Sequence, residues 1–159
     1  MPSPAAINQL LDLLEEGFQR RAWHGTNLLG SIRGLDPAHA SARPARGRHN
    51  IWELIVHTAY WKYAVTRRLT GAKRGSFPYP GSNWFVRDGG TESDLKRDIA
   101  LLKQCHRELM EAVGRVKPGE LGSRPPGSRQ ARGFMIRGIA AHDLYHAGQI
   151  QLLKRLVGD

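Results

Sequence analysis

The clearest pattern of apolar and polar positions lies near the end of the chain, where residues spaced by four and three positions form a stripe from 135 to 156. This spacing is typical of the buried face of an α-helix. The outer positions of the stripe are apolar: Met135, Ile139, Leu153 and Leu156. Its central positions are polar: His142, His146 and Gln149. Buried polar groups cost free energy unless a partner satisfies them, so the centre of this stripe is the first candidate for a functional site.

Similar stripes predict three further long helices. The four helices are expected at about 4–19, 50–70, 92–116 and 132–157, with less than roughly a tenth of the residues in strands. Shorter helical pieces are expected over 26–33 and 36–42. The sequence therefore predicts an all-α fold, a four-helix bundle with long connecting loops, formed by residues 1–159 as a single domain.

Capping residues support three of these helix boundaries. Asn50 and Thr91 are favourable N-cap residues, and Gly71 suits the left-handed position that follows a helix. Glu53 stands three positions after Asn50, which is the spacing of a capping box. We therefore expect Glu53 to cap its helix, although it also lies one turn before His57 and is a candidate site residue.

Histidines also occupy the predicted buried stripes of the second and third helices. His57 follows Leu54 in one stripe, and His106 follows Leu102 in the other. Neutral imidazole is a good ligand for Zn, Ni, Cu or Fe. Two histidines four residues apart on one helical face, as near the end of this chain, can bind a single ion.

These positions predict a metal site formed by His57, His142 and His146. Three protein ligands are typical of catalytic zinc sites, whereas structural zinc usually has four. Bonds of about 2.0–2.2 Å to one ion would place the three ring nitrogens within roughly 3–4 Å of one another. The alternative is that these are core histidines that hydrogen-bond to their neighbours. His106 is expected to face the interior near the metal cavity without being a ligand.

Other polar residues are candidates for orienting the ligands or contacting a substrate. Tyr60 and Gln149 each follow a predicted ligand by about one turn, and His24 lies in a break after the first helix that could reach the mouth of the site. Asp143 lies off the stripe and is expected to face solvent or contact a ligand. The loop 72–90 contains four aromatic residues and is expected to pack over the bundle or to form a wall of the pocket.

Composition narrows the classes of function. A net charge of +10, from 24 basic and 14 acidic residues, is compatible with nucleic acid or an anionic small molecule as a partner. The basic residues are scattered and accompany no nucleic-acid-binding motif, so an ordinary basic surface is favoured over nucleic-acid binding. Cys105 is the only cysteine, which excludes a disulfide framework and a cysteine-based zinc site. No apolar run is long enough to span a membrane and no signal-peptide pattern is present, so a cytoplasmic protein is expected.

Several segments resemble the DinB-like (DinB/YfiT) family of metalloenzymes. The similar segments are His49-Asn-Ile-Trp-Glu-Leu-Ile-Val-His57-Thr-Ala-Tyr-Trp-Lys-Tyr, Gly138-Ile-Ala-Ala-His142-Asp-Leu-Tyr-His146-Ala-Gly-Gln149-Ile, Trp23-His-Gly and Gly81-Ser-Asn-Trp-Phe. This resemblance implies a four-helix bundle, a homodimer, and a divalent metal bound by His57, His142 and His146. It also implies kinship with S-transferases that use glutathione, mycothiol or bacillithiol, and with mycothiol-dependent maleylpyruvate isomerase.

The sequence thus predicts a metal-dependent enzyme acting on a small molecule, either a thiol-dependent S-transferase or a hydrolase. An open three-histidine site would serve both, because a bound ion lowers the pKa of a water or thiol. The expected ion is Zn or Ni, with Fe and Mn less favoured, and a low-molecular-weight thiol is a candidate co-substrate. The alternative is a non-catalytic stress-response protein that binds a metal or a small ligand.

Overall fold

Four long helices dominate the fold. The computed structural model describes residues 4–158, which contain these helical segments: α1 (Pro4–Phe18), α2 (Leu28–Ser31), α3 (Pro37–Ser41), α4 (Ile51–Thr70), α5 (Glu92–Gly114), a 3₁₀ turn (Pro118–Glu120) and α6 (Arg132–Val157). Within that range there is no β-strand, and only an isolated bridge joins Ala22 to Gly25. The predicted all-α class is therefore confirmed. None of the helices described is long and apolar enough to cross a membrane.

The helix ends follow the predicted caps, with one difference at α4. The Asn50 side chain accepts a hydrogen bond from the Glu53 N–H at 2.8 Å, and Gly71 ends the helix in the left-handed region with φ 75°. The Glu53 carboxylate does not complete a capping box. It binds Arg43 and His49 instead, because a charge-assisted hydrogen bond to a guanidinium is stronger than one to a neutral amide.

The bundle forms because α4 packs against both α5 and α6, and α1 packs against the same two helices. The apolar core has one part around Trp52, Ile55 and Leu102, and a second part around Leu14 and Ile136. Gly17 allows α1 to approach α6 closely, since an added Cβ would lie only 3.2 Å from the Ala140 carbonyl oxygen. This packing fixes α4 and α6 side by side and brings their histidines together.

The predicted stripe of α6 holds along most of the helix but fails at its end. Met135, Ile139 and His146 are buried, Leu153 is half-buried, and Leu156 is 59% exposed. A straight helix has 3.6 residues per turn, so a stripe that repeats every 3.5 residues drifts by about 20° per heptad. After three heptads, Leu156 has rotated away from the core.

The loop between α4 and α5 packs against the bundle. Phe85 is buried, and its ring centroid lies 5.3 Å from that of Phe77. At the base of the loop, the buried Asp98 carboxylate accepts hydrogen bonds from Trp52 Nε1 at 2.7 Å and from Arg87 Nε at 2.8 Å, and also from the Tyr79 hydroxyl. These contacts hold the segment 82–85 over the middle of α4, where it reaches the histidines.

Candidate metal centre

Three histidine side chains from two helices converge at the centre of the bundle. The Nε2 atom of His142 lies 3.1 Å from Nε2 of His57 and 3.0 Å from Nε2 of His146. One ring nitrogen from each of the three lies within 4.8 Å of the others. The two measured separations fall within the range expected for ligands of one ion. The folded chain thus contains a three-histidine cluster that could hold a metal.

Hydrogen bonds at the opposite ring nitrogens orient two of the imidazoles. His57 Nδ1 donates to the Asn83 carbonyl oxygen at 2.8 Å, and His146 Nδ1 donates to Gln149 Oε1 at 2.6 Å. Because both acceptors are oxygens, the protons of these neutral rings reside on Nδ1. Each Nε2 therefore directs a lone pair toward the cluster, which is the tautomer needed to bind a metal.

The donor set fits a cation better than it fits hydrogen bonds among the three rings. His142 has one ring proton when neutral, so its Nε2 can donate to His57 or to His146 but not to both. The remaining contact would then bring two lone pairs to about the length of a hydrogen bond. A divalent ion accepts all three lone pairs at once. If these were ordinary core histidines joined by hydrogen bonds, one of the two short Nε2–Nε2 contacts of His142 would have no proton to share.

The environment keeps the three rings neutral. Burial lowers the pKa of His57 to about 4, and the neighbouring His146 and His49 contribute to this shift. Burial also lowers the pKa of His142 to about 3, with further contributions from His146 and His57. The pKa of His146 is lowered by burial, against which the hydrogen bond to Gln149 acts. At neutral pH the cluster therefore offers uncharged imidazoles, the form that binds metals.

The family model described as the DinB superfamily matches residues 20–150, which is more than half of the chain. The chain belongs to the DinB superfamily. No curated protein and no solved structure gives a significant match. The observed helical bundle is consistent with membership of this superfamily.

Asn83 and Trp84 complete the surroundings of His57, and the sequence analysis did not single out either residue as a site residue. Trp84 stacks on the His57 ring with centroids 3.9 Å apart. The Asn83 side chain accepts a hydrogen bond from Trp61 Nε1 at 2.8 Å while its carbonyl binds His57. Asn83 has φ 68°, a left-handed conformation that Asn tolerates better than most residues. Two signals pointed to this segment: the resemblance of Gly81-Ser-Asn-Trp-Phe to the family, and the aromatic residues of the loop 72–90, of which Trp84 is one.

Glu53 and His49 form a polar network beside the cluster. Glu53 is 3% exposed, and it binds Arg43 and His49. Burial acts to raise the pKa of Glu53, but the hydrogen bonds from Arg43 and His49 outweigh it and the pKa is lowered. His49 also stacks on Trp84 at 3.6 Å between centroids. Glu53 thus holds His49 and, through it, Trp84, and its carboxylate is already occupied by basic groups.

Three of the other predicted site residues lie away from the two cavities that border the cluster. Tyr60 packs in an aromatic group with Phe77 and Phe85, and borders a cavity formed by the loop 75–82. His24 is exposed in the turn after α1. His106 is buried, as its place in the stripe predicts, but its ring stacks on Phe18 instead of lining the site.

The prediction for Asp143 is wrong, because this residue is fully buried and paired. Lys62 and Asp143 are both 0% exposed, and Lys62 Nζ lies 2.5 Å from Asp143 Oδ2. Lys62 Nζ also lies 3.2 Å from His106 Nδ1, and His106 Nε2 lies 3.1 Å from Glu15 Oε1. Since α6 packs against α1 as well as α4, the side of α6 next to the histidine stripe is also interior. Sequence reasoning missed Lys62, which the α4 pattern does not mark as buried.

Two cavities border the histidine cluster. The larger, of about 550 Å³, is lined by His146 and Gln149 and by Trp84 of the long loop. The smaller, of about 200 Å³, is lined by His142 and Trp61. Trp84 of the loop 72–90 and residues of the segment 44–49 line the larger cavity, and no residue of the turn at 20–25 does. Trp84 is therefore a pocket wall, whereas Phe77 and Phe85 of the same loop pack over the bundle.

Proposed function

We propose that this DinB-superfamily protein is a metal-dependent enzyme that acts on a small molecule at His57, His142 and His146. The observation that carries this proposal is the convergence of three Nε2 atoms, two of them held by hydrogen bonds at Nδ1, beside a cavity of about 550 Å³. The reaction classes that suit such a site are S-transfer from a low-molecular-weight thiol and hydrolysis.

The donor set supports a catalytic site over a purely structural one. Among residues 4–158, the cluster contains three potential ligands, whereas structural zinc sites usually have four. Imidazole donors suit Zn and Ni, and Fe or Mn is less favoured. A bound divalent ion would supply Lewis-acid chemistry, lowering the pKa of a water or thiol so that it becomes a nucleophile near neutral pH.

The chain's own residues would prepare the site for this chemistry. Gln149 and the Asn83 carbonyl keep two imidazoles in the required tautomer, so little reorganisation is needed when an ion binds. Trp84 covers the face of His57 and limits access of bulk water from that side. The buried carboxylates nearest the site are paired with basic side chains, Glu53 with Arg43 and Asp143 with Lys62. We therefore assign no protein carboxylate as a general base.

The first test is the metal content of protein purified without a His tag. We expect close to one divalent ion per chain by elemental analysis, and loss of stoichiometric binding in His146→Ala. His24→Ala is the matched control, because His24 is exposed and lies outside the cluster. Turnover is then measured with thiol co-substrates and with model esters and amides. Wild-type protein that binds no metal would contradict the proposal.

A non-catalytic role in binding a metal or small ligand during stress is the second candidate. The pairing of the nearby carboxylates favours it, because Glu53 and Asp143 are both bound to basic side chains and so are not free to act as a general base. A protein that binds stoichiometric metal, but neither retains an exchangeable water nor turns over any thiol or ester substrate, would fit this role.

We also propose that the protein forms a homodimer. Exposed apolar side chains on α6 support this, since exposed apolar surface often marks an interface. Among them, Phe134 and Leu156 do not line the larger cavity beside the cluster. Light scattering should give twice the chain mass, and Phe134→Glu should lower it toward the monomer. A monomeric mass for the wild type at micromolar concentration would contradict this.

A further inference from the structure

The larger cavity beside the cluster has a strongly apolar wall. Its apolar lining includes Leu54, Trp84, Tyr145, Leu152 and Leu153. A volume of about 550 Å³ lies within the usual range of small-molecule sites, roughly 300–1,000 Å³. His146 and Gln149 line the cavity where it borders the histidine cluster. The shape and lining therefore suit a molecule with a sizeable apolar body.

One permanently charged side chain lines this cavity, and it is basic. This side chain is that of Arg48, which is exposed, and no carboxylate is among the lining residues. Within residues 4–158, no Asp or Glu lies within salt-bridge distance of the Arg48 guanidinium, whereas the neighbouring Arg43 is bound to both Glu53 and Asp88. Arg48 is thus available to bind an external anion, and Arg43 is not.

The backbone holds Arg48 at this position. Arg43 donates a hydrogen bond from its guanidinium to the Arg48 carbonyl oxygen at 2.6 Å, and the Arg48 N–H donates to the Ala45 carbonyl at 3.1 Å. Arg43 is in turn anchored by the buried Glu53 carboxylate. The chain's excess of basic residues would also attract an anionic ligand from a distance.

We infer that the substrate is an organic acid with an apolar or aromatic body, whose anionic group binds Arg48 and whose body lies between Trp84 and Leu152. This inference rests on the proposed function, since it identifies the class of molecule that the same site accepts. A planar guanidinium can bind a carboxylate through two parallel hydrogen bonds, which gives it a geometric preference for that group.

The test compares two ligands of nearly the same size and shape, the anion 4-phenylbutyrate and the neutral 4-phenylbutanamide, by calorimetric titration of the full chain. The acid should bind about tenfold more tightly than the amide, in both metal-loaded and EDTA-treated protein. Arg48→Gln should abolish that preference. Arg46→Gln is the matched control, because this substitution removes the same charge from the same loop. Arg46 is exposed and does not line the cavity. Circular dichroism verifies that each variant is folded.

The outcomes separate this inference from the proposed function. Equal binding of acid and amide, no binding of either, or a preference that survives Arg48→Gln would overturn the inference. A preference that disappears with the metal would overturn it too, because the ion and not Arg48 would then bind the carboxylate. Metal binding and turnover without a preference for the acid would leave the proposed function standing. If the purified wild type takes up no divalent ion but still prefers the acid through Arg48, the inference stands and the proposed function is refuted.

Discussion

Gln149 Oε1 lies 2.6 Å from His146 Nδ1, one turn further along the same helix, and this contact determines which nitrogen of His146 is free for a ligand. A hydrogen bond at Nδ1 keeps the proton there and leaves the Nε2 lone pair facing the cluster. His57 is oriented in the same way by a backbone carbonyl, which no side-chain substitution removes. Gln149 is therefore the more informative position for mutagenesis.

Gln149→Leu should weaken metal binding by about 10- to 100-fold, because the group that orients a ligand histidine is lost while the ligands remain. Competition with a chromogenic chelator measures the affinity. Gln104→Leu is the control, because Gln104 is exposed on α5 and far from the cluster in sequence. An unchanged affinity in Gln149→Leu would show that the hydrogen bond does not contribute.

Metal binding should stabilise the folded chain, because the three ligands converge only after α4 and α6 have packed. With free metal at 100 times its Kd, the expected gain in free energy of unfolding is about 2.7 kcal/mol. EDTA should reverse this gain in the wild type, measured as a lower Tm, and should have no effect on His142→Ala. A Tm for His142→Ala that still falls with EDTA would indicate another metal site.

The pair formed by Lys62 and Asp143 should be costly to break on one side only. Lys62→Met leaves a buried carboxylate without its partner, and should lower the free energy of unfolding by about 3–5 kcal/mol. Adding Asp143→Leu should restore much of that loss, because the double variant buries no charge. Urea unfolding of the two single variants and the double variant gives the coupling energy. Additive losses would show that the two residues do not stabilise the fold as a pair.

Metal-free protein should become less stable as the pH falls from about 6.5 toward 4. Burial lowers the pKa of His57 and His106 to about 4 and that of His142 to about 3, from an ordinary value of 6.5. Below pH 6.5 the unfolded chain takes up protons at these histidines while the folded chain does not, so acid favours unfolding.

The urea midpoint in EDTA should therefore be higher at pH 7 than at pH 5. His106→Phe should reduce this difference, because it removes one of the buried histidines. Exposed His24 provides the control, since His24→Ala leaves the buried histidines in place. An equal midpoint at both pH values would contradict the neutral, buried state of these rings.

The sequence alone determined the helices and which histidines face the core. Periodicity and capping are local properties, readable from residues within one or two turns, so Asn50, Thr91 and Gly71 marked helix ends without knowledge of the fold. The same local pattern placed His57 and His146 on interior faces.

The tertiary structure decided which distant groups meet these residues. The carbonyl of Asn83 and the ring of Trp84 reach His57 because Asp98 and the aromatic residues hold the long loop against α4. Lys62 and Asp143 are 81 positions apart and meet only when α4 packs on α6. Such contacts depend on how the helices pack against one another. A sequence pattern that extends over a few helical turns does not predict that packing.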